Sequence, residues 1–284
     1  MSARVAACAG IAVLAGCATG VPTARTVGWT AVPNGGEVRV LLPPGYPERA
    51  PYPVLYFLHD YFGTRGVLWR KGVAEELQRR MTTGDLAPMV IVAPEGDHGY
   101  WSDVHGGGAA WESFVTGPLI EWVERSFRVR TDRAGRAITG ISMGGLGSIK
   151  AALRRPDLFA AASSLSGALI PLDRDSVLGY SWLARRQLFR VFGSDPVENS
   201  LDRNDPVALA RTAAGPGPRL LLRAGTEDTN RLDRAAEKLG ELARSRGLEV
   251  EVVLEPGGHV CDYWRRALPE VVGWHAQRFA EAER

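Results

Sequence analysis

The run Ala137 to Gly145, AITGISMGG, sets one hydroxyl, Ser142, among small and apolar residues, and its centre matches the pattern Gly-x-Ser-x-Gly. Such a serine becomes a nucleophile when an imidazole takes its proton and a carboxylate holds the imidazole. Both groups come later in the chain: the adjacent carboxylates Glu227 and Asp228 in AGTEDT, then His259 in EPGGHVCDYW. Serine, acid, histidine is the order that this pattern requires on a strand–turn–helix elbow. Of the five histidines only His259 and His275 come late enough, and His275, inside VVGWHAQRF, reads as a helix-surface position. His259 is the better base, because Gly257 and Gly258 free the backbone to swing its ring back over the fold. Only one of Glu227 and Asp228 can face inward, and the residues alone leave the choice open. The chemistry is attack on a carbonyl carbon through a covalent acyl intermediate, with the Met143 amide, at a helix N-terminus, receiving the developing oxyanion.

Other reactive side chains have simpler readings. Asp97, His98, Asp103 and His105 in GDHGYWSDVHGGG are metal-ligand types, but their spacing fits no zinc pattern. They read as a loop at a pocket rim, so no metal and no cofactor is expected. Cys261, two residues after His259, has no base of its own and reads as a small packing residue. Tyr100, Trp101 and Trp264 are candidates for the cleft wall or the core, and Glu112 for a buried hydrogen-bonding carboxylate or a helix-surface charge.

The elements that must position these groups alternate in type. Apolar, β-branched runs at Glu37 to Leu42, Pro53 to Leu58, Pro88 to Ala93, Arg136 to Ile141, Ala161 to Leu165, Arg219 to Ala224 and Glu249 to Leu254 read as strands. Helical patterns cover Gly72 to Met81, Ala110 to Arg125, Gly144 to Arg154, Leu232 to Ser245 and Tyr263 to Ala280. This predicts an α/β fold, a mostly parallel central sheet with helices on both faces. Ser142 then falls where a strand ending at Ile141 hands over to a helix, which is where an elbow belongs. Ala168 to Pro218 reads as an insertion over one end of the sheet.

With 284 residues, 45% of them hydrophobic, the chain fits one large domain, and a formal net charge of +2 excludes a nucleic-acid footprint or a polybasic membrane patch. The first residues read as an address: Arg4, an apolar run from Val5 to Leu14, then small residues. Leu14-Ala15-Gly16-Cys17 resembles the lipobox of bacterial lipoproteins, in which the cysteine carries lipid; ordinary signal cleavage, with Cys17 a bystander, is the alternative. The expected organisation is a signal peptide over 1–16, a tether over 17–25 leading into an edge strand, and one domain over 26–284. The expected location is outside the cytoplasm, as a cell-envelope lipoprotein held to a membrane through Cys17, or else periplasmic or secreted. Loss of Cys8 with the signal and lipid on Cys17 would leave Cys261 alone, so no intrachain disulfide is expected.

Taken together, LLPPGY (Leu41 to Tyr46), YPVLYFLHD (Tyr52 to Asp60), WESF (Trp111 to Phe114), GISMGG, PDLF (Pro156 to Phe159), GTED (Gly225 to Asp228) and PGGH (Pro256 to His259) are similar to the esterase D type within the α/β-hydrolases. That group includes S-formylglutathione hydrolases, feruloyl and enterochelin esterases, and mycolyltransferases. The resemblance implies the α/β-hydrolase fold, a small-molecule ester substrate, the nucleophile on Ser142, the acid on Asp228 and the base on His259. It puts a second oxyanion donor on the backbone of Tyr61; His59 itself reads as a structural support of that loop. The chain departs from the group in having His59-Asp60 where relatives carry His-Gly, and a carboxylate pointing inward there would disfavour the oxyanion. Hydrolysis is the expected reaction. Acyl transfer of the mycolyltransferase type and a non-catalytic surface binding protein are the alternatives.

Overall fold

Eight strands form one sheet in the order β1-β2-β4-β3-β5-β6-β7-β8 in the computed structural model, which describes residues 25–28, 37–70, 72–195 and 200–282. The strands are β1 Arg25–Gly28, β2 Glu37–Leu41, β3 Val54–Leu58, β4 Val90–Pro94, β5 Arg136–Ile141, β6 Ala161–Leu165, β7 Arg219–Gly225 and β8 Val250–Glu255. From β4 through β3 to β8 all pairs are parallel, while β1 and β2 close one edge antiparallel. The expected signal peptide, Cys17 and the tether as far as residue 24 lie outside the described residues.

The central strands are buried on both faces because helices cover both. Every residue of β3, β4, β5 and β6 is buried. Alternation along β3 sends Val54, Tyr56 and Leu58 into one core layer, with Leu146 and Ile149 of the helix Met143–Arg154 and Leu239 of the helix Leu232–Ser245. Leu55 and Phe57 point the other way, onto Leu77 of the helix Val73–Thr83 and Val271 and Val272 of the helix Cys261–Glu281.

The seven expected strands are all present, within two residues at either end. The helix expected over Ala110 to Arg125 is two helices, Trp111–Val115 and Pro118–Ser126. Pro118 has no N–H to give to the first helix and disfavours helical backbone at Gly117, so the chain breaks there and restarts with proline in its first turn. Among the described residues the insertion between β6 and β7 forms four helices, Arg174–Leu178, Trp182–Phe192, Leu201–Asn204 and Pro206–Thr212. Asp173 caps the first of them and Asp205 the last, each carboxylate accepting backbone N–H groups that no helical carbonyl could reach.

Candidate active site

The carboxyl ends of the parallel strands carry the candidate groups. Ser142 follows β5, Tyr61 lies beyond the end of β3, Asp228 follows β7 and His259 follows β8. Ser142 has φ 52° and ψ −111°, a conformation that costs an L-residue about 1–3 kcal/mol. The turn is possible because its flanks are glycine. A Cβ on Gly144 would meet the carbonyl oxygens of Leu58 and His59, and one on Gly140 would meet the backbone of Gly144. The strained residue is pinned by hydrogen bonds: its N–H donates to Leu165 O (2.9 Å), and its carbonyl accepts from Leu146 N–H (3.0 Å) and Ala168 N–H (3.3 Å).

Ser142 Oγ lies 2.9 Å from His259 Nε2, and His259 Nδ1 lies 2.8 Å from Asp228 Oδ2. The Asp228 carboxylate can only accept from Nδ1–H, which leaves Nε2 bare to accept the Ser142 hydroxyl proton. Asp228 is fully buried at its side chain and His259 is 23% exposed, so the carboxylate is sheltered and the imidazole reaches solvent. Burial pushes the Asp228 carboxyl up, but the bond from His259 and the Asn230 N–H (2.8 Å) outweigh it and hold the group below the usual range. Asp228 therefore stays ionised through neutral pH. Glu227 is exposed to solvent, so of the two neighbouring carboxylates it is Asp228 that meets the imidazole. The acid and base loops are tied together: Thr226 N–H donates to Glu255 O and Glu227 N–H to Gly257 O, both at 2.9 Å. Arg223 and Glu255 add a two-pronged ion pair at 2.7 and 2.8 Å.

Met143 is the first residue of its helix, so its N–H has no intrahelical acceptor and is free for an oxyanion. Tyr61 sits in a turn closed by Gly63 N–H donating to Asp60 O (2.9 Å). The Asp60 side chain is folded back over Gly63, on its own turn. The Tyr61 ring packs on His98 (4.6 Å between centroids) and Tyr100 (5.7 Å), and Tyr100 on Phe192 (6.1 Å), an aromatic rim joining the oxyanion loop to the insertion.

Two expectations need correction. His275 is fully buried: the last helix lies across the sheet and presses it against β6, where Nε2 meets Ser163 Oγ at 2.7 Å. Burial lowers its pKa to about 3, so the ring is neutral. Cys261 is exposed at the start of the same helix and packs no core. The four metal-type residues of the rim go separate ways. Asp97 binds His98, Asp103 accepts from Ser113 N–H at the start of the helix Trp111–Val115, and His105 packs beside Gly193. Among the described residues no cluster of three or more such groups could hold a metal.

Two further residues matter: Trp264, named from the sequence as a candidate for cleft wall or core, and Lys150, which the sequence did not single out. Trp264 sets its ring edge-on to His259 (4.9 Å, 89°) and donates from Nε1 to Ser166 Oγ (3.2 Å), packing against the imidazole. Lys150, fully buried on the helix that begins at Met143, bonds Ser102 Oγ and Asn204 Oδ1 (2.9 Å) and faces Glu112 at 3.6 Å. Glu112 is buried too and pairs with Arg154, so one charged knot links rim loop, insertion and the helix after Ser142. Burial pulls the Lys150 pKa down to about 8 against the pull of Glu112.

Comparison with known proteins places the chain in a family. Residues 31–275 match the family model described as "Putative esterase", and the chain belongs to that family. It is 31% identical over 281 residues to an esterase of Mycobacterium tuberculosis, covering 87% of this chain and 56% of that one, so the chain spans about half the length of that relative. It is 26% identical over 231 residues to an acetyl esterase of Caldicellulosiruptor saccharolyticus, covering 78% of this chain and 82% of the relative. A ferulic acid esterase structure superposes with a TM-score of 0.74 at 24% identity, covering 90% and 98% of the two chains. The fold is that of the α/β-hydrolases.

Replacing Asp228 by Asn should lower kcat about 10³- to 10⁴-fold, since the neutral amide no longer fixes the imidazole tautomer. Glu227→Gln should change it less than about threefold. Parallel steady-state kinetics of the two variants checks the register, and the reverse ranking would move the acid to Glu227.

Proposed function

We propose that the protein is an exported serine esterase that hydrolyses carboxylic ester bonds of small molecules. The observation that carries this reading is the unbroken line Ser142 Oγ–His259 Nε2 and His259 Nδ1–Asp228 Oδ2, at 2.9 and 2.8 Å, on a strained elbow. Ser142 attacks the carbonyl carbon as His259 takes its proton, and the amides of Met143 and Tyr61 receive the oxyanion. His259 then protonates the departing alcohol. Water, deprotonated by the same imidazole, attacks the acyl-enzyme and releases the acid, regenerating Ser142. No cofactor takes part.

Hydrolysis is favoured over transfer to another alcohol by how open the site is. Ser142 is half-buried, His259 is partly exposed, and the neighbouring rim carries Gly106, Gly107 and Gly108, all at positive φ. Water is in great excess wherever a groove does not hold an acceptor. On the location, Leu14-Ala15-Gly16-Cys17 supports a lipid on Cys17 that would anchor the domain. No helix among the described residues is long and apolar enough to cross a membrane.

A panel of acyl and aryl esters assayed with wild type and Ser142→Ala, glycerol present, tests the chemistry. Turnover should fall by about 10³-fold or more in the variant, and wild type should yield mainly free acid. Equal rates would end the esterase reading, and predominant glycerol ester would favour an acyltransferase. For the anchor, a bacterium with lipoprotein processing should label wild type with palmitate and leave Cys17→Ser unlabelled. Processed wild type without lipid would contradict it.

A further inference from the structure

His59 follows β3 at 1% exposure, two residues before Tyr61, whose amide is an oxyanion donor in the serine-esterase mechanism; a role for His59 in that step rests on the esterase reading. Its Nδ1 lies 2.8 Å from the carbonyl oxygen of Asp60. A carbonyl oxygen only accepts, so Nδ1 carries the proton. That oxygen belongs to the same peptide plane as the Tyr61 N–H, and the Asp60–Tyr61 bond is not among the cis peptides. In a trans peptide C=O and N–H point in opposite directions, so whatever fixes Asp60 O fixes where Tyr61 N–H aims. Two donors fix it, His59 Nδ1–H and Gly63 N–H (2.9 Å). Donors on the carbonyl also polarise the peptide and make its N–H a stronger donor.

The other side of the ring is held by two partners of opposite kind. Nε2 lies 3.0 Å from Gly96 N–H and 3.1 Å from Glu95 Oε1. A neutral ring accepts from Gly96, and a protonated ring donates to Glu95; in both states the proton on Nδ1 stays. Glu95 is in turn bound by Arg65 at 2.9 Å. Trp101 packs edge-on to the ring (5.0 Å, 65°), and its Nε1–H donates to the His59 carbonyl at 3.0 Å. The loop needs such an anchor because Phe62, next to Tyr61, is 86% exposed and contributes nothing to the core.

We propose that His59 is a positioning residue for the oxyanion site: through the Asp60 carbonyl its Nδ1–H aims the Tyr61 amide, and Gly96 and Glu95 hold the ring with that proton in place.

Asparagine and glutamine separate this role from simple bracing. Asn puts an amide N–H where Nδ1 stands, within reach of Asp60 O, while Gln puts its amide where Nε2 stands, within reach of Gly96 and Glu95. His59→Asn should keep kcat within about fivefold of wild type. His59→Gln should lose about 10- to 100-fold in kcat with KM nearly unchanged, less than the 10²–10³ of deleting an oxyanion donor outright. Thermal melts normalise both to folded protein. If the ring only ties β3 to Gly96, Gln replaces it better than Asn, and a kcat for His59→Gln equal to or above that of His59→Asn overturns the proposal. Should neither variant fold, imidazole ¹⁵N spectra of wild type decide: His59 Nδ1 must be the protonated, pyrrole-type nitrogen, and a pyridine-type Nδ1 overturns it. Wild type without Ser142-dependent turnover would fail the esterase reading instead, so the two failures are distinct.

Discussion

The site depends on the strained turn at Ser142. Ser142 is held at φ 52° between a fully buried strand and a helix, and that turn lifts its hydroxyl out of the sheet. The strain persists because its surroundings leave no alternative: β6 accepts its N–H, the helix and the start of the insertion donate to its carbonyl, and the glycines let two backbones touch. Gly144 lies against the Leu58 and His59 carbonyls, so the Ser142 turn and the loop after β3 share a contact with no room for a side chain.

From that point the parallel sheet does the positioning. Adjacent strands β5, β6 and β7, with β8 beyond, deliver their loops to one rim, and short loops keep Asp228 and His259 in register through the Thr226 and Glu227 amides. The Lys150 knot extends the same rigidity outward. A buried lysine is costly unless paired, and here its partners come from the rim loop, from Glu112 and from the insertion, so their packing on the nucleophile helix is coupled to a satisfied charge. The wall around the site thus rests on the element that carries Ser142.

Much of this was legible in the chain because the signals were local. Strand patterns and the Gly-x-Ser-x-Gly run depend on neighbouring residues, and the order of serine, acid and histidine follows from the topology. Other features depend on what packs against a residue from afar. His275 looks like a surface position from its own helix and is buried only because β6 supplies Ser163. Lys150 sits in GSIKAAL, where nothing nearby announces partners 48 and 54 residues away. Glu227 and Asp228 could not be told apart by type; the turn that buries one and exposes the other is set by β8. The break at Gly117 was readable from Pro118, and the apolar periodicity running across it masked the signal.

The central claim is that Ser142 is the nucleophile and that His259 activates it. Mass spectrometry of the intact protein after treatment with a phosphonylating probe, followed by peptide mapping, tests both. One adduct per chain should form on Ser142, and its rate should fall at least about a hundredfold in His259→Ala. Labelling that maps to another residue, or a rate indifferent to His259, would contradict the account.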